Sequence, residues 1–137
     1  MAERLRLSVV TPERALLEEE AEEVQVPGLN GYLGILPGHA PLFSELAIGR
    51  LSYRQASGTG SLMIAGGFVE VLDDDVRVLA SVAEPATEID VTRAREALRR
   101  ARARLGTGGG DVDYDRALAA AHRASARIEV TGEKPDR

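Results

Sequence analysis

The chain has 137 residues, a net charge of −5, 44% hydrophobic residues and no cysteine. Without cysteine, and with His39 and His122 as the only imidazoles, neither a disulfide framework, a thiolate metal site nor a histidine-rich metal site can be built. No apolar run reaches the ~18 residues of a membrane span, and "MAERLRLSVV" lacks the apolar centre of a secretory signal, so the chain is expected to be cytoplasmic and soluble, meeting a membrane only through a partner.

The charge is unevenly divided. Residues 1–88 carry 14 acids against 6 arginines, a balance of −8, whereas residues 89–137 carry 8 acids against 11 basic residues, a balance of +3. Either this is ordinary surface variation, or the halves present two surfaces to two kinds of partner, since local fields steer association more than net charge does.

Taken in chain order, the first 83 or so residues keep a period of two. Leu5, Leu7 and Val9 alternate with Arg4, Arg6 and Ser8, as a strand with one buried face requires. Glu18, Glu19, Glu20, Glu22 and Glu23 follow without the Asx and Gly pattern of a calcium loop, and read as a solvated edge that discourages strand pairing. The alternation returns at Val24 and Val26, at Leu51 and Tyr53, through Phe68 to Leu72, and from Val76 to Val82. Between these runs, "PGLNG", "PGHAP", "SGTGS" and "DDD" supply turn chemistry. Many short strands with such punctuation predict an all-β sandwich or barrel.

The stretch "GLNGYLGILPGHAPL" (28–42) is the densest in glycine and proline. Its GxxGxxG spacing is not the dinucleotide fingerprint, and a Walker A loop needs a lysine that this region lacks, the sole lysine being Lys134. Gly28, Gly31 and Gly34 therefore either permit tight turns or let an edge approach a partner closely. His39, with no cysteine, serine elbow or second histidine in this half, is expected to be structural rather than catalytic. No nucleophile, metal centre or acid–base pair can be assembled, so an enzyme is not expected.

From Asp90 the period becomes 3.6. Val91, Ala94, Leu98, Ala101 and Leu105 recur at steps of three and four; after "GTGGGD" so do Tyr114, Ala117, Ala121, Ala124 and Ile128. Asp90 is expected to cap the first helix and Asp111 or Asp113 the second. The pattern predicts a β-sandwich over 1–88, a helical hairpin over 89–128 with helices about 90–105 and 113–128, and a flexible tail over 129–137. The stripes are mostly alanine, so little apolar area holds the hairpin, at roughly 25 cal/mol per Å². Its position should be set by what it docks against.

Arginines follow the helices. Arg93, Arg100 and Arg104 lie about opposite the first stripe, and Arg116, Arg123 and Arg127 opposite the second, at ~100° per residue. If the stripes face only each other, these rows point apart; if both stripes lie on the sandwich, they share one outward side and could clamp a polyphosphate with guanidinium forks. A solvated basic face is the alternative. Nucleic acid is disfavoured because the hairpin offers one aromatic, Tyr114, on an acidic chain.

"VQVPGLNGYLGILPGHAPLFSELAIGRL", "IAGGFVEVLDDDVRVLASVAE", "IDVTRA" and "GDVDYDRALAAAHRASARI" together resemble the epsilon subunit of bacterial F-type ATP synthase, over about Leu5 to Ile128. The resemblance implies a β-sandwich followed by a two-helix hairpin, and a non-catalytic place in the central stalk of the proton-translocating enzyme. It also implies partners in the gamma subunit, the membrane-embedded c-ring and the alpha/beta catalytic head, at the cytoplasmic face of the bacterial membrane. The region matching Leu29 to His39 is implied to lie toward the c-ring, with Gly31, Tyr32, His39 and Pro41 shaping it. The hairpin is implied to restrain ATP hydrolysis when raised. No cofactor is implied, but some members bind ATP on the lowered hairpin through "[IL]DxxRA". That motif matches Ile89, Asp90, Arg93 and Ala94, and the rest of the site corresponds to Glu84, Arg100, Arg123 and Arg127.

Overall fold

The computed structural model describes residues 3–107, 110 and 113–135. Eight strands precede two helices: β1 (Leu5–Val10), β2 (Ala15–Ala21), β3 (Glu23–Gly28), β4 (Gly31–Ile35), β5 (Leu42–Gln55), β6 (Gly58–Leu72), β7 (Asp75–Ala80) and β8 (Ala83–Pro85). A 3-10 turn (Ala86–Glu88) then leads to α1 (Val91–Thr107) and α2 (Tyr114–Val130). The strand order is β2-β1-β7-β6-β5-β3-β4, with β8 also on β6. β1 and β7 run parallel; the other pairs are antiparallel.

The sheet becomes a two-layer sandwich because β5 and β6 are long enough to serve both layers. Residues 42–46 pair with 67–71 beside β7, and residues 48–55 pair with 58–65 beside β3 and β8. Between the two stretches β6 turns a corner at Gly66 and Gly67, whose φ values are +82° and +118°. A Cβ on Gly67 would sit 2.2 Å from the Leu79 carbonyl oxygen, so only glycine fits there. Folding over brings Leu5, Leu7 and Val9 of β1 into one core with Val24 and Val26 of β3, although these strands are not neighbours in the sheet. Leu51, Ile64, Val69, Val71, Val76 and Val78 complete that fully buried layer. The all-β sandwich with a C-terminal helical hairpin expected from the periodicities is the architecture found.

The turns differ from the expectation in detail. "SGTGS" is not one turn: the β5–β6 loop is only Ala56 and Ser57, and Thr59, Gly60 and Ser61 are paired strand residues. Gly60 is required because a Cβ there would lie 2.2 Å from the Tyr53 ring. "DDD" does turn, with Asp73 and Asp74 at φ +51° and +64°, the left-handed pair that a two-residue hairpin prefers. Gly34 lies inside β4 with no positive φ and open space above it, so it is no turn glycine. The acidic run falls in β2, at Glu22 just after it and at the start of β3; β2 is an outer strand paired in the sheet with β1, its Glu20 carbonyl also accepting from the Gln55 side chain at 2.8 Å, and Glu18 to Glu20 are exposed along it.

The helices pack stripe against stripe. Ala94, Leu98 and Ala101 meet Ala121, Ala124 and Ile128. Asp90 and Asp113 each accept the N–H of the third residue on, Arg93 and Arg116, at 3.1 Å. Asp111, the alternative cap, lies outside the described residues, as do Gly108 and Gly109 of the linker. Val91 and Leu105 at the stripe's ends are half-buried, and Tyr114 is the stripe member left exposed. Its ring is exposed, and its hydroxyl donates to the Leu105 carbonyl at 3.0 Å, near the end of α1.

A second face of α2 does the docking. Ala126 and Val130 bury against Met63 of β6, flanked by Ile48, Ala65, Ala86 and Ile89. The tail therefore begins later than residue 129: Glu129 and Val130 are helical, and Val130 is only 6% exposed. The reason is packing, since an apolar side chain one turn past Ala126 extends the same contact. Beyond the helix, Gly132 at φ +89° reverses the chain, and Arg95 of α1 reaches the Lys134 carbonyl at 2.9 Å and Glu133 at 3.6 Å.

Candidate functional site

Where the sandwich hands over to the hairpin, a cleft of about 360 Å³ opens between the linker, the N-terminal half of α1 and the C-terminal half of α2. Glu84 comes from β8 and Glu88 from the 3-10 turn; Ile89 and Asp90 come from the joint, Arg93, Ala94, Ala97 and Arg100 from α1, and Arg127 from α2. Arg93 and Arg100 are two turns apart on one face, roughly 10 Å along the axis. Ile89, Ala94 and Ala97 give the cleft an apolar floor.

Three carboxylates and three guanidiniums line this cleft, and their pairing decides what it can hold. Glu84 is gripped by Arg127: Nε lies 3.0 and 3.1 Å from the two carboxylate oxygens and Nη2 lies 2.9 Å from Oε1. Glu88 pairs outward with Arg14, on the loop between β1 and β2, at 2.8 Å. Asp90 is committed to the α1 N-terminus. Arg93 and Arg100 are exposed, and among the described residues no ion pair engages their side chains. The cleft thus presents two available guanidiniums beside an apolar floor, suited to a ligand with an anionic end and a flat or apolar end.

Seven of the eight positions expected for a nucleotide meet here: Glu84, Ile89, Asp90, Arg93, Ala94, Arg100 and Arg127. Arg123 does not line the cleft; it sits half-buried one turn before Arg127. The arginine rows follow neither simple geometry. The stripes face each other, yet α2 also lies down on β5 and β6, and its docking residues stand at about 120° and 160° from Tyr114 at ~100° per residue. That places the docking face next to Arg127, at about 220°, and brings Arg127 to Glu84.

The four residues expected to shape a contact edge come from two adjoining segments. Gly31 and Tyr32 open β4, whereas His39 and Pro41 lie in the loop after it. The five residues of β4 span roughly 16 Å at ~3.3 Å each. Tyr32 leaves its ring 59% exposed while its hydroxyl accepts the Arg50 N–H at 3.1 Å. The loop beyond β4 is held by the His39 N–H to the Leu36 carbonyl at 3.1 Å and by the Gly38 N–H to Asp74 Oδ1 at 2.7 Å. The His39 ring Nδ1 lies 2.7 Å from the Ala40 carbonyl oxygen, a role in turn structure.

Sequence reading missed an apolar surface on the outer side of the sandwich. Phe43 and Phe68 stack at 5.4 Å, and Phe68 is registered with Leu79 on β7; all three are strongly exposed, as is Leu72. The signal was present in "GGFVEVL": with Val69 and Val71 inward, Phe68 and Leu72 must point out. Glu88 and Ala97 of the cleft were likewise missed, having no motif to mark them.

A strand sandwich joined to a hairpin that folds back over it, with a cleft at the joint, defines a two-part β-then-α class of protein. Residues 4–86 match the family model described as ATP synthase, Delta/Epsilon chain, beta-sandwich domain, and residues 87–132 the corresponding long alpha-helix domain. The ATP synthase epsilon chain of Solibacter usitatus is 49% identical over 134 residues, covering 98% of this chain and all of the relative. That of Koribacter versatilis is 52% identical over 109 residues, covering 80% of this chain and 77% of the relative. Among solved structures, a chain of the Euglena gracilis mitochondrial ATP synthase, OSCP/F1/c-ring in rotational state 1, superposes with a TM-score of 0.75 at 26% identity, covering 87% of this chain and 76% of that one. The chain belongs to the ATP synthase delta/epsilon family and, as an epsilon-type chain, is a central-stalk subunit of F-type ATP synthase.

Proposed function

We propose that the protein is a non-catalytic rotor subunit that couples the catalytic head to the c-ring of a proton-translocating ATP synthase, and that its hairpin restrains ATP hydrolysis. The reading places it as a peripheral component at the cytoplasmic face of the membrane, held there through gamma and the c-ring. No helix among the described residues is long and apolar enough to cross a membrane, which fits attachment through partners. The stacked Phe43–Phe68 surface with Leu79 is the face we assign to gamma, and the two ends of β4 to the ring.

The observation that carries the regulatory reading is the cleft. Positions far apart in sequence, Glu84, Arg93, Arg100 and Arg127, converge only while the hairpin lies on the sandwich. A ligand held there is bound by the lowered state alone and favours it; at 100 times its dissociation constant the gain is about 2.7 kcal/mol. ATP fits the division of the cleft, with phosphates on Arg93 and Arg100 and within reach of Arg127, and the base over Ile89 and Ala97.

Calorimetry on the full chain tests this. ATP is expected to bind, and Arg93→Ala and Arg100→Ala to weaken it by tenfold or more; equal heats in all three proteins would remove the nucleotide site. Deleting residues 89–137 is expected to raise the ATPase activity of the assembled complex.

A further inference from the structure

Arg127 is the one cleft arginine already occupied by an anion. Its guanidinium makes three contacts of 2.9–3.1 Å with the Glu84 carboxylate, and both side chains are about two-thirds or more buried. Glu84 belongs to the sandwich layer, registered with Met63 through β6, while Arg127 belongs to α2, beside the docking residue Ala126. The pair therefore spans the joint that must open if the hairpin rises. Arg93 and Arg100 span nothing comparable, since their side chains carry no ion pair to the sandwich among the described residues.

We propose that Glu84 is a built-in competitor for the anionic ligand: its carboxylate takes the phosphate's place on Arg127, latching the hairpin down when the cleft is empty and giving way when a nucleotide enters. The proposal rests on the nucleotide reading of this cleft for its second half only. The latch itself needs no ligand. Two consequences follow. The lowered state has a fastening independent of ATP, made of the Glu84–Arg127 pair and the Met63–Ala126–Val130 contact. ATP affinity is also lower than three arginines would give, because binding at Arg127 first breaks a bidentate ion pair.

The test uses the full chain, whose lack of cysteine allows labels at cysteines placed at Ser57 and Leu118. Label-to-label distances without nucleotide are compared for Glu84→Gln, Arg127→Gln and the exchanged pair Glu84→Arg with Arg127→Glu. Each single change is expected to lower the ratio of docked to undocked hairpin by roughly three- to fivefold, the size of one partly exposed ion pair, with recovery in the exchanged pair. An unchanged ratio in both single variants overturns the latch. In calorimetry Glu84→Gln is expected to bind ATP several times more tightly than the parent chain; equal or weaker binding overturns the competition. If the parent chain gives no ATP heat, the nucleotide reading fails together with the competition, while the distances still decide the latch.

Discussion

The sandwich and the hairpin are built on opposite economies of side-chain size. Leu, Ile and Val at near-zero exposure fill the space between the two β layers, with Leu7, Leu51 and Val69 drawn from different strands. The hairpin meets itself through alanines around Leu98 and Ile128, and meets the sandwich through Ala126, Val130 and one methionine. Burying a leucine side chain contributes about 1.5–3 kcal/mol and an alanine methyl well under half of that. One unit is held by bulk and the other by fit, so the first is expected to stay fixed while the second is free to choose between contacts.

The strongest way to break this contrast is at the sandwich corner. Gly67→Ala adds a methyl against backbone at a φ that side chains rarely adopt, and is expected to destabilise the fold by at least about 3 kcal/mol in thermal or urea unfolding. Leu51→Ala should cost a similar amount, about 2–5 kcal/mol, by leaving a cavity in the core.

A change at the docking face should separate the units instead. Ala126→Glu places a carboxylate against Met63 and is expected to release the hairpin while leaving sandwich unfolding within about 0.5 kcal/mol of the parent. Hydrogen exchange checks it: fast exchange in α2 with slow exchange kept in β5 and β6 is the expected pattern, and loss of protection in both would show one cooperative unit rather than two.

The helix caps act on a smaller scale. Asp113→Ala removes the acceptor for the Arg116 N–H and should destabilise α2 by about 1 kcal/mol, visible in helical circular dichroism on warming and absent from the sandwich transition. The smallest effect lies in alkali. Burial, and next the charge of Glu19, raise the Tyr53 hydroxyl above its ordinary pKa of about 10. The unfolded chain therefore ionises first, so Tyr53 gives its full stability below pH ~10 and loses it as the pH rises beyond. Tyr53→Phe should flatten that decline.

How much of this was legible in the sequence depends on whether a signal was local. The period of two, the change to 3.6 at Asp90, both aspartate caps and the "DDD" turn are set by each residue's immediate neighbours, and could be read along the chain. The convergence of Glu84, Arg93, Arg100 and Arg127 was reached only through a resemblance. No spacing rule joins a carboxylate on a strand to a guanidinium 43 residues later.

Sequence alone determined the change from strand to helix period near Asp90, both helices, several of the strands and the opposite charge of the halves, while β4 and the paired start of β6 were hidden under turn-like residues. Tertiary structure alone decided that α2 uses a second face to lie on β6, that the arginines of both helices divide between cleft and solvent, and that Arg127 is spent on Glu84 while Arg93 is not. Periodicity records which face of an element avoids water. It does not say which of two apolar faces meets which partner, because that depends on the corner at Gly67 and on the direction in which β8 leaves the sandwich.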